Sequence, residues 1–120
     1  MEFDDNLPIY MQIMNYIQKK MVSGDISGGD KLPSVRELAT KLKVNPNTVQ
    51  RSYQELEREG LVYTQRGMGT FATEDKGIIV ELKKLMAVEI INNFIEEMRS
   101  LGFDNGEIIE IVSDKIKKEV

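Results

Sequence analysis

Cysteine and histidine are both absent from the 120 residues. Without them there is no thiolate or imidazole nucleophile, no histidine general base and no Cys/His zinc site. There is also no disulfide of the kind that marks secreted proteins. Carboxylates do adjoin, Asp4 beside Asp5 and Glu96 beside Glu97, but neighbouring residues on a helix or loop point in different directions. They read as solvated charge, so no catalytic, cofactor or metal site is expected. No apolar run approaches the roughly 20 residues that cross a bilayer. The opening MEFDDNLPIY is acidic where a secretory signal would be basic and then apolar. A cytoplasmic protein with no membrane partner is the expectation. Internal repeats and low-complexity tracts are missing as well.

What is present is an ordinary globular balance, 41% hydrophobic and 30% charged, in a length that suits one domain or a small domain with an appendage. The net charge of −4 is unevenly spread. Residues 1–73 carry nine basic and nine acidic side chains, whereas 74–120 carry seven against eleven. Within the first part, residues 31–73 hold seven basic side chains against four acidic. A locally basic segment on an acidic chain suits a polyanion-binding face with a different role behind it.

Helical spacing of Tyr10, Ile13, Met14, Ile17 and Met21, between Pro8 and Gly24, predicts a first helix. DISGGDKLP then reads as a Gly-rich connection. Ser34 and Glu37 form an S-x-x-E capping box for a short helix that buries Val35, Leu38 and Leu42. Only Lys43 and Val44 separate it from the next start signal, with Asn45 as N-cap, Pro46 in the first turn and Gly60 as the stop. Val49, Tyr53 and Leu56 define the buried stripe of that third helix. Two β-prone runs, Leu61–Thr64 and Thr70–Thr73, flank Gln65-Arg66-Gly67-Met68-Gly69 and predict a hairpin. From about Ile78 to Leu101 the pattern is a long helix; Gly102-Phe103 breaks it, and Asp104 or Asn105 caps a last one. Helix, helix, short turn, helix and hairpin make a winged helix-turn-helix. The expected fold is therefore mainly α, a winged helix-turn-helix domain at 1–73 followed by a two-helix dimerisation tail at 74–120.

In a helix-turn-helix the second helix of the pair enters the major groove and its N-terminal residues meet base edges. Here these are Asn45, Asn47, Thr48, Gln50 and Arg51. Asn and Gln amides pair bidentately with adenine, Arg with guanine, and a Thr methyl meets the thymine methyl. The same residue types are also what any helix start prefers. Arg36 lies early in the preceding helix, where side chains reach backbone or a neighbouring base. Arg66, at the hairpin tip between Gln65 and Gly67, is placed to approach a minor groove, and the glycines let backbone come near phosphates. Lys41, Lys43 and Arg58 suit phosphate contacts or plain solubilising charge. Glu55, Glu57 and Glu59 crowd toward the far end of the helix, away from its reading end. A second reading makes the wing and third helix a protein-interaction module without specific DNA binding.

LPSVRELATKLKVNPNTVQRSYQELEREGLVYTQRGMGTFA resembles the DNA-binding domain of the GntR family of bacterial transcription regulators. The runs L-P-S-x-R-E-L-A, N-P-N-T-V, L-E-x-E-G-L-V and R-G-x-G-T-F stand in family order and spacing, and with the first helix the likeness covers residues 7–73. The form V-N-P-N-T-V-Q-R-x-Y with a tail of under 50 residues resembles the YtrA-type subfamily. The resemblance implies base contacts from Arg36, Asn47, Thr48 and Gln50, and an approach to DNA by Arg66 and Gly67, with Gly69 and Thr70 beside them. Many family members carry Arg where Pro46 and Gln50 stand here, so no family-wide operator is carried over.

Residues 74–120 are too few to enclose a small molecule alone. Their apolar faces, with Leu82, Met86, Ile90, Phe94, Met98, Ile108, Ile111 and Val112, suit the same tail of a second subunit. A homodimer would present two reading helices to a pseudo-palindromic operator in double-stranded DNA. An unidentified small-molecule effector at the dimer seam is the lesser alternative to plain packing there. The expected role is that of a repressor, and the YtrA-type resemblance further implies control of a transporter operon.

Overall fold

The computed structural model describes residues 1–119. Helix α1 (Ile9–Ser23) buries Ile13, Met14, Ile17 and Met21 and ends at Gly24, whose φ of 90° is the left-handed turn that glycine adopts without penalty. Tyr10, expected on the buried row, is half-buried. The chain before α1 is tied back onto it by Gln12. The Gln12 side chain accepts from the Asp4 N–H at 2.7 Å and donates to the Asp4 and Leu7 carbonyls.

Helix α2 (Val35–Leu42) starts with both halves of the capping box. The Ser34 hydroxyl accepts from the Glu37 N–H, and the Glu37 carboxylate accepts from the Ser34 N–H, each at 3.1 Å. Leu38, Ala39 and Leu42 are buried, while Val35 is half-buried. Lys43 closes the helix in the left-handed region at φ 58°. Helix α3 (Pro46–Arg58) follows at once, with the Asn45 side-chain oxygen accepting from the Asn47 N–H at 2.8 Å. Its buried stripe is Val49, Ser52, Tyr53 and Leu56.

Strands β1 (Val62–Gln65) and β2 (Gly69–Ala72) pair antiparallel in the register Val62 to Ala72 and Gln65 to Gly69. Tyr63 and Phe71 stack across the ladder with ring centroids 5.7 Å apart. The other edge of β2 is also engaged. Leu32 N–H donates to the Thr70 carbonyl and Ala72 N–H to the Asp30 carbonyl, both at 2.8 Å, and Lys31 bridges Phe71. The end of the Gly-rich connection is thus a one-bridge third lane of the wing, which its Asp, Gly and Pro composition conceals.

These elements enclose one core, in which Ile13, Val49, Ser52 and Leu56 are the most deeply buried side chains. Ser52 is the buried polar member, and its hydroxyl reaches the Tyr10 carbonyl at 2.9 Å and the Thr48 carbonyl at 3.1 Å. Ile78, Ile79 and Leu82, from the start of helix α4 (Lys76–Ser100), also pack against this core. The first compact unit accordingly runs over Met1–Lys83 and the second begins at Lys84, ten residues beyond the boundary read from the sequence.

In the second unit, the chain leaves α4 through Gly102 (φ 95°) and enters helix α5 (Asn105–Glu119). Asp104 is the cap of α5: its carboxylate accepts from the Glu107 N–H, and Glu107 accepts from the Asp104 N–H. No residue of α4 is buried, and Leu85, Val88, Ile90 and Ile91 are more than half exposed. On α5, Ile109, Ile111 and Ile116 are exposed, whereas Ile108 is covered within the chain. Among the described residues no helix is long and apolar enough to cross a membrane.

Candidate nucleic-acid interface

The 3.6-residue repeat of α3 sorts its side chains by role. With Val49, Ser52, Tyr53 and Leu56 turned inward, Asn47, Gln50, Arg51, Gln54 and Arg58 fall on the opposite, exposed side. The pattern Asn47, Gln50, Gln54 is one stripe at helical spacing, two turns long, of side chains that both donate and accept. Gln54 was not among the sequence-derived candidates. The only signal for it is its place one turn after Gln50.

Two of the expected reading residues have work inside the helix. Asn45 spends its acceptor oxygen on the α3 cap, so its first duty is to start the helix. Thr48 is half-buried, with its N–H donating to the Asn45 carbonyl. Asn47 and Gln50 stay exposed. Arg51 is exposed too, but its guanidinium lies over the Tyr10 ring, 3.8 Å from the centroid. Arg36 stands exposed on the first turn of α2, the helix that packs against α3.

At the wing, Arg66 and Gly67 occupy the exposed tip, where Met68 N–H donates to the Gln65 carbonyl and Gly67 takes φ 79°. Gly69 and Thr70 are half-buried. A Cβ on Gly69 would come within 2.7 Å of Lys31 Cε, so Lys31 lies along the wing with its aliphatic stem over that glycine. Lys31 therefore joins the candidate phosphate contacts; from sequence it is one lysine in a loop.

The glutamates of α3 are not bystanders. Glu57 accepts from the Thr64 N–H at 2.9 Å and pins β1 to the reading helix. Glu59 accepts from the Gln18 amide of α1 at 3.1 Å, and Glu55 pairs with Arg58 at 3.2 Å. The Tyr53 hydroxyl donates to the Pro33 carbonyl at 2.6 Å and ties α3 to the chain entering α2. Burial, and secondly the charge of Glu37, push that hydroxyl above its usual ionisation range. Glu37 is itself held below the usual carboxylate range, first by the Ser34 N–H, then by the Ser34 hydroxyl and by Lys31. Arg36, Arg51 and Arg66 form no ion pair among the described residues, which leaves their charge available to an anion.

A half-open, mainly apolar hollow of about 610 Å³ lies elsewhere in the first unit, among Met21, Ile26, Ala72, Ile79 and Val80. None of the expected nucleic-acid contacts lines it. Among the described residues no cluster of three or more His, Cys, Asp or Glu could hold a metal ion.

The expected dimer residues are of two kinds. Leu82 packs on the core of its own first unit and Ile108 is buried within its own chain, so neither belongs to a free face. The helical pattern marks both as apolar but does not say which surface covers them. Met86, Met98 and Val112 are half-buried, and Ile90, Phe94 and Ile111 are exposed.

Comparison with known proteins agrees with this geometry. Residues 9–72 match the bacterial regulatory proteins of the gntR family. The chain is 46% identical over 109 residues to the uncharacterized HTH-type transcriptional regulator YhcF of Bacillus subtilis (strain 168), covering 91% of this chain and 90% of that one. It is 42% identical over 108 residues to the HTH-type transcriptional repressor YtrA of the same organism, covering 89% and 83%. Among solved structures, a GntR family transcriptional regulator from Listeria monocytogenes superposes with a TM-score of 0.85 at 51% identity, over 93% of this chain and 98% of that one. The DNA-binding domain of AraR in complex with an operator superposes with a TM-score of 0.55 at 32% identity, over 61% and 86%.

Proposed function

The chain belongs to the GntR family of DNA-binding bacterial transcriptional regulators, and from that premise we propose that it is a homodimeric repressor of a pseudo-palindromic operator. The observation that carries the reading is the exposed stripe Asn47, Gln50 and Gln54 on α3, flanked by Arg36, Arg51 and Arg66 without ion-pair partners. Amides in the major groove read adenine edges, and the arginines meet phosphates or guanine. Gly67 brings the wing backbone toward a minor groove.

The second subunit comes from the tail. The 25-residue α4, with none of its residues buried, leaves Ile90 and Phe94 exposed, and α5 leaves Ile111 exposed, apolar surface of the kind that marks an interaction face. A second tail supplies cover for it by two-fold symmetry, and half-buried Met86, Met98 and Val112 complete the seam. The acidic tail is repelled by DNA and keeps contact at the winged end. The name of the similar YtrA supports repression; control of a transporter operon, and any effector, extend the likeness further. We place the protein in the cytoplasm, with no enzymatic activity.

The test is a duplex titration by fluorescence anisotropy with light-scattering mass on the same samples. A complex with two chains per duplex is expected, with affinity falling about 0.9 log unit per log unit of salt for each phosphate neutralised. Loss of sequence preference in Asn47→Ala/Gln50→Ala, with non-specific binding retained, supports the reading. Single-chain complexes, or unchanged preference, overturn it. If duplex DNA fails to bind at physiological salt, the protein-interaction module is the better reading.

A further inference from the structure

We infer that Tyr10 is a positioning residue for DNA binding: its ring holds Arg51 off the helix surface so that the guanidinium meets a backbone phosphate rather than a base. The inference rests on the proposed DNA-binding role of α3.

Arg51 has an alternative partner in its own helix. Glu55 lies at i+4, the spacing at which an arginine and a glutamate pair on a helix surface. Such a pair would neutralise Arg51 and draw it toward the C-terminal end of α3, away from the reading end. Instead Glu55 pairs with Arg58, and the Arg51 guanidinium sits 3.8 Å over the Tyr10 ring. Stacking takes up one face of the planar cation and leaves its N–H edges open. The ring is a neutral partner, so the charge is oriented without being cancelled.

Tyr10 is itself well fixed. It is half-buried on α1, and its backbone carbonyl accepts from Ser52, the residue next to Arg51. That bond locks the α1 position carrying the ring to the α3 position carrying the cation. Arg51 shares the exposed side of α3 with Asn47, Gln50 and Gln54, but its guanidinium is drawn over the Tyr10 ring toward α1, to the edge of that side. A guanidinium held at that edge suits the phosphate rail of the groove, whereas side chains that point straight out from the helix face base edges. This revises the guanine contact that the residue type alone suggests.

The test uses the full chain and a duplex recovered by selection from a random pool, with affinities of single and double variants. Releasing a surface cation–π contact is expected to weaken binding about two- to fivefold per reading helix. Tyr10→Leu should show that loss, Tyr10→Phe should keep affinity, and Tyr10→Leu should add nothing in an Arg51→Gln background. Glu55→Gln should recover more affinity with Tyr10→Leu than with Tyr10 intact, because it removes the competing partner. Arg51→Gln should lower affinity for selected and scrambled duplexes alike and flatten the salt dependence, as a phosphate contact does. Equal loss from Tyr10→Leu with and without Arg51 overturns the inference, since that is the mark of damaged folding. A change of base preference in Arg51→Gln also overturns it. If Arg51→Gln has no effect on affinity at all, the DNA-binding role of this helix face fails first.

Discussion

Replacing Tyr53 by Phe removes one hydroxyl from the joint between the reading helix and the chain that enters α2. The hydroxyl is in a side chain 5% exposed and donates to the Pro33 carbonyl at 2.6 Å. At neutral pH, loss of that bond should cost about 0.5–1.5 kcal/mol of unfolding free energy. The sign changes in alkali. Burial first, and the Glu37 charge second, raise the folded-state pKa above the usual value of about 10. The unfolded chain therefore gives up this proton at lower pH than the folded one. The contribution of Tyr53 is full below pH of about 10 and is lost as pH rises toward the folded value, at about 1.4 kcal/mol per pH unit. By pH 11 the loss is about 1.4 kcal/mol, close to what the hydrogen bond supplied. Urea unfolding of wild type and Tyr53→Phe at equal protein concentration, from pH 7 to 11, should show the stability gap closing. Every other titratable group is common to the two proteins, so the difference isolates Tyr53. A gap that stays constant across the range refutes the reasoning.

Other variants probe other joints. Ser34→Ala removes the side-chain half of the α2 capping box and should cost about 1 kcal/mol by urea unfolding. The advantage of wild type over Glu37→Ala should be full above the usual carboxylate range and shrink as pH falls through the lowered value of Glu37, because the folded state holds that group ionised. Gly67→Ala meets no atom within 4 Å but keeps φ near 79°, so backbone strain alone should cost roughly 1–2 kcal/mol, read as a lower Tm. Phe94→Lys should turn the sedimenting species from two chains to one while the circular dichroism of the helices persists.

Local signals along the chain were the legible ones. The Ser34–Glu37 box, the Asn45-Pro46 start and the glycines at 24, 60 and 67 each act over a few residues, and the elements they bound stand where those signals put them. Contacts between distant residues leave no such trace. Nothing near Glu57 announces that it will hold the Thr64 N–H, and nothing near Arg51 points to a ring 41 residues earlier. The 30–32 segment looks like a loop because it has one bridge to offer and a proline beside it. The tail shows the same limit, since helical spacing finds every apolar position but does not separate Leu82, covered by its own core, from Ile90, which is exposed. Candidate DNA contacts were legible where residue chemistry is distinctive, at Asn47, Gln50 and Arg66. Gln54 and Lys31 emerge only when the exposed side of α3 and the lanes of the wing are laid out in space.

The most direct measurement is selection of bound sequences from a random duplex pool by the full chain. Recovered duplexes should share an inverted repeat with half-sites about 10 base pairs apart, centre to centre, or a multiple of that, and a footprint should show the same dyad. A pool that stays random, or a single half-site without its symmetric mate, would contradict a two-fold DNA-reading dimer.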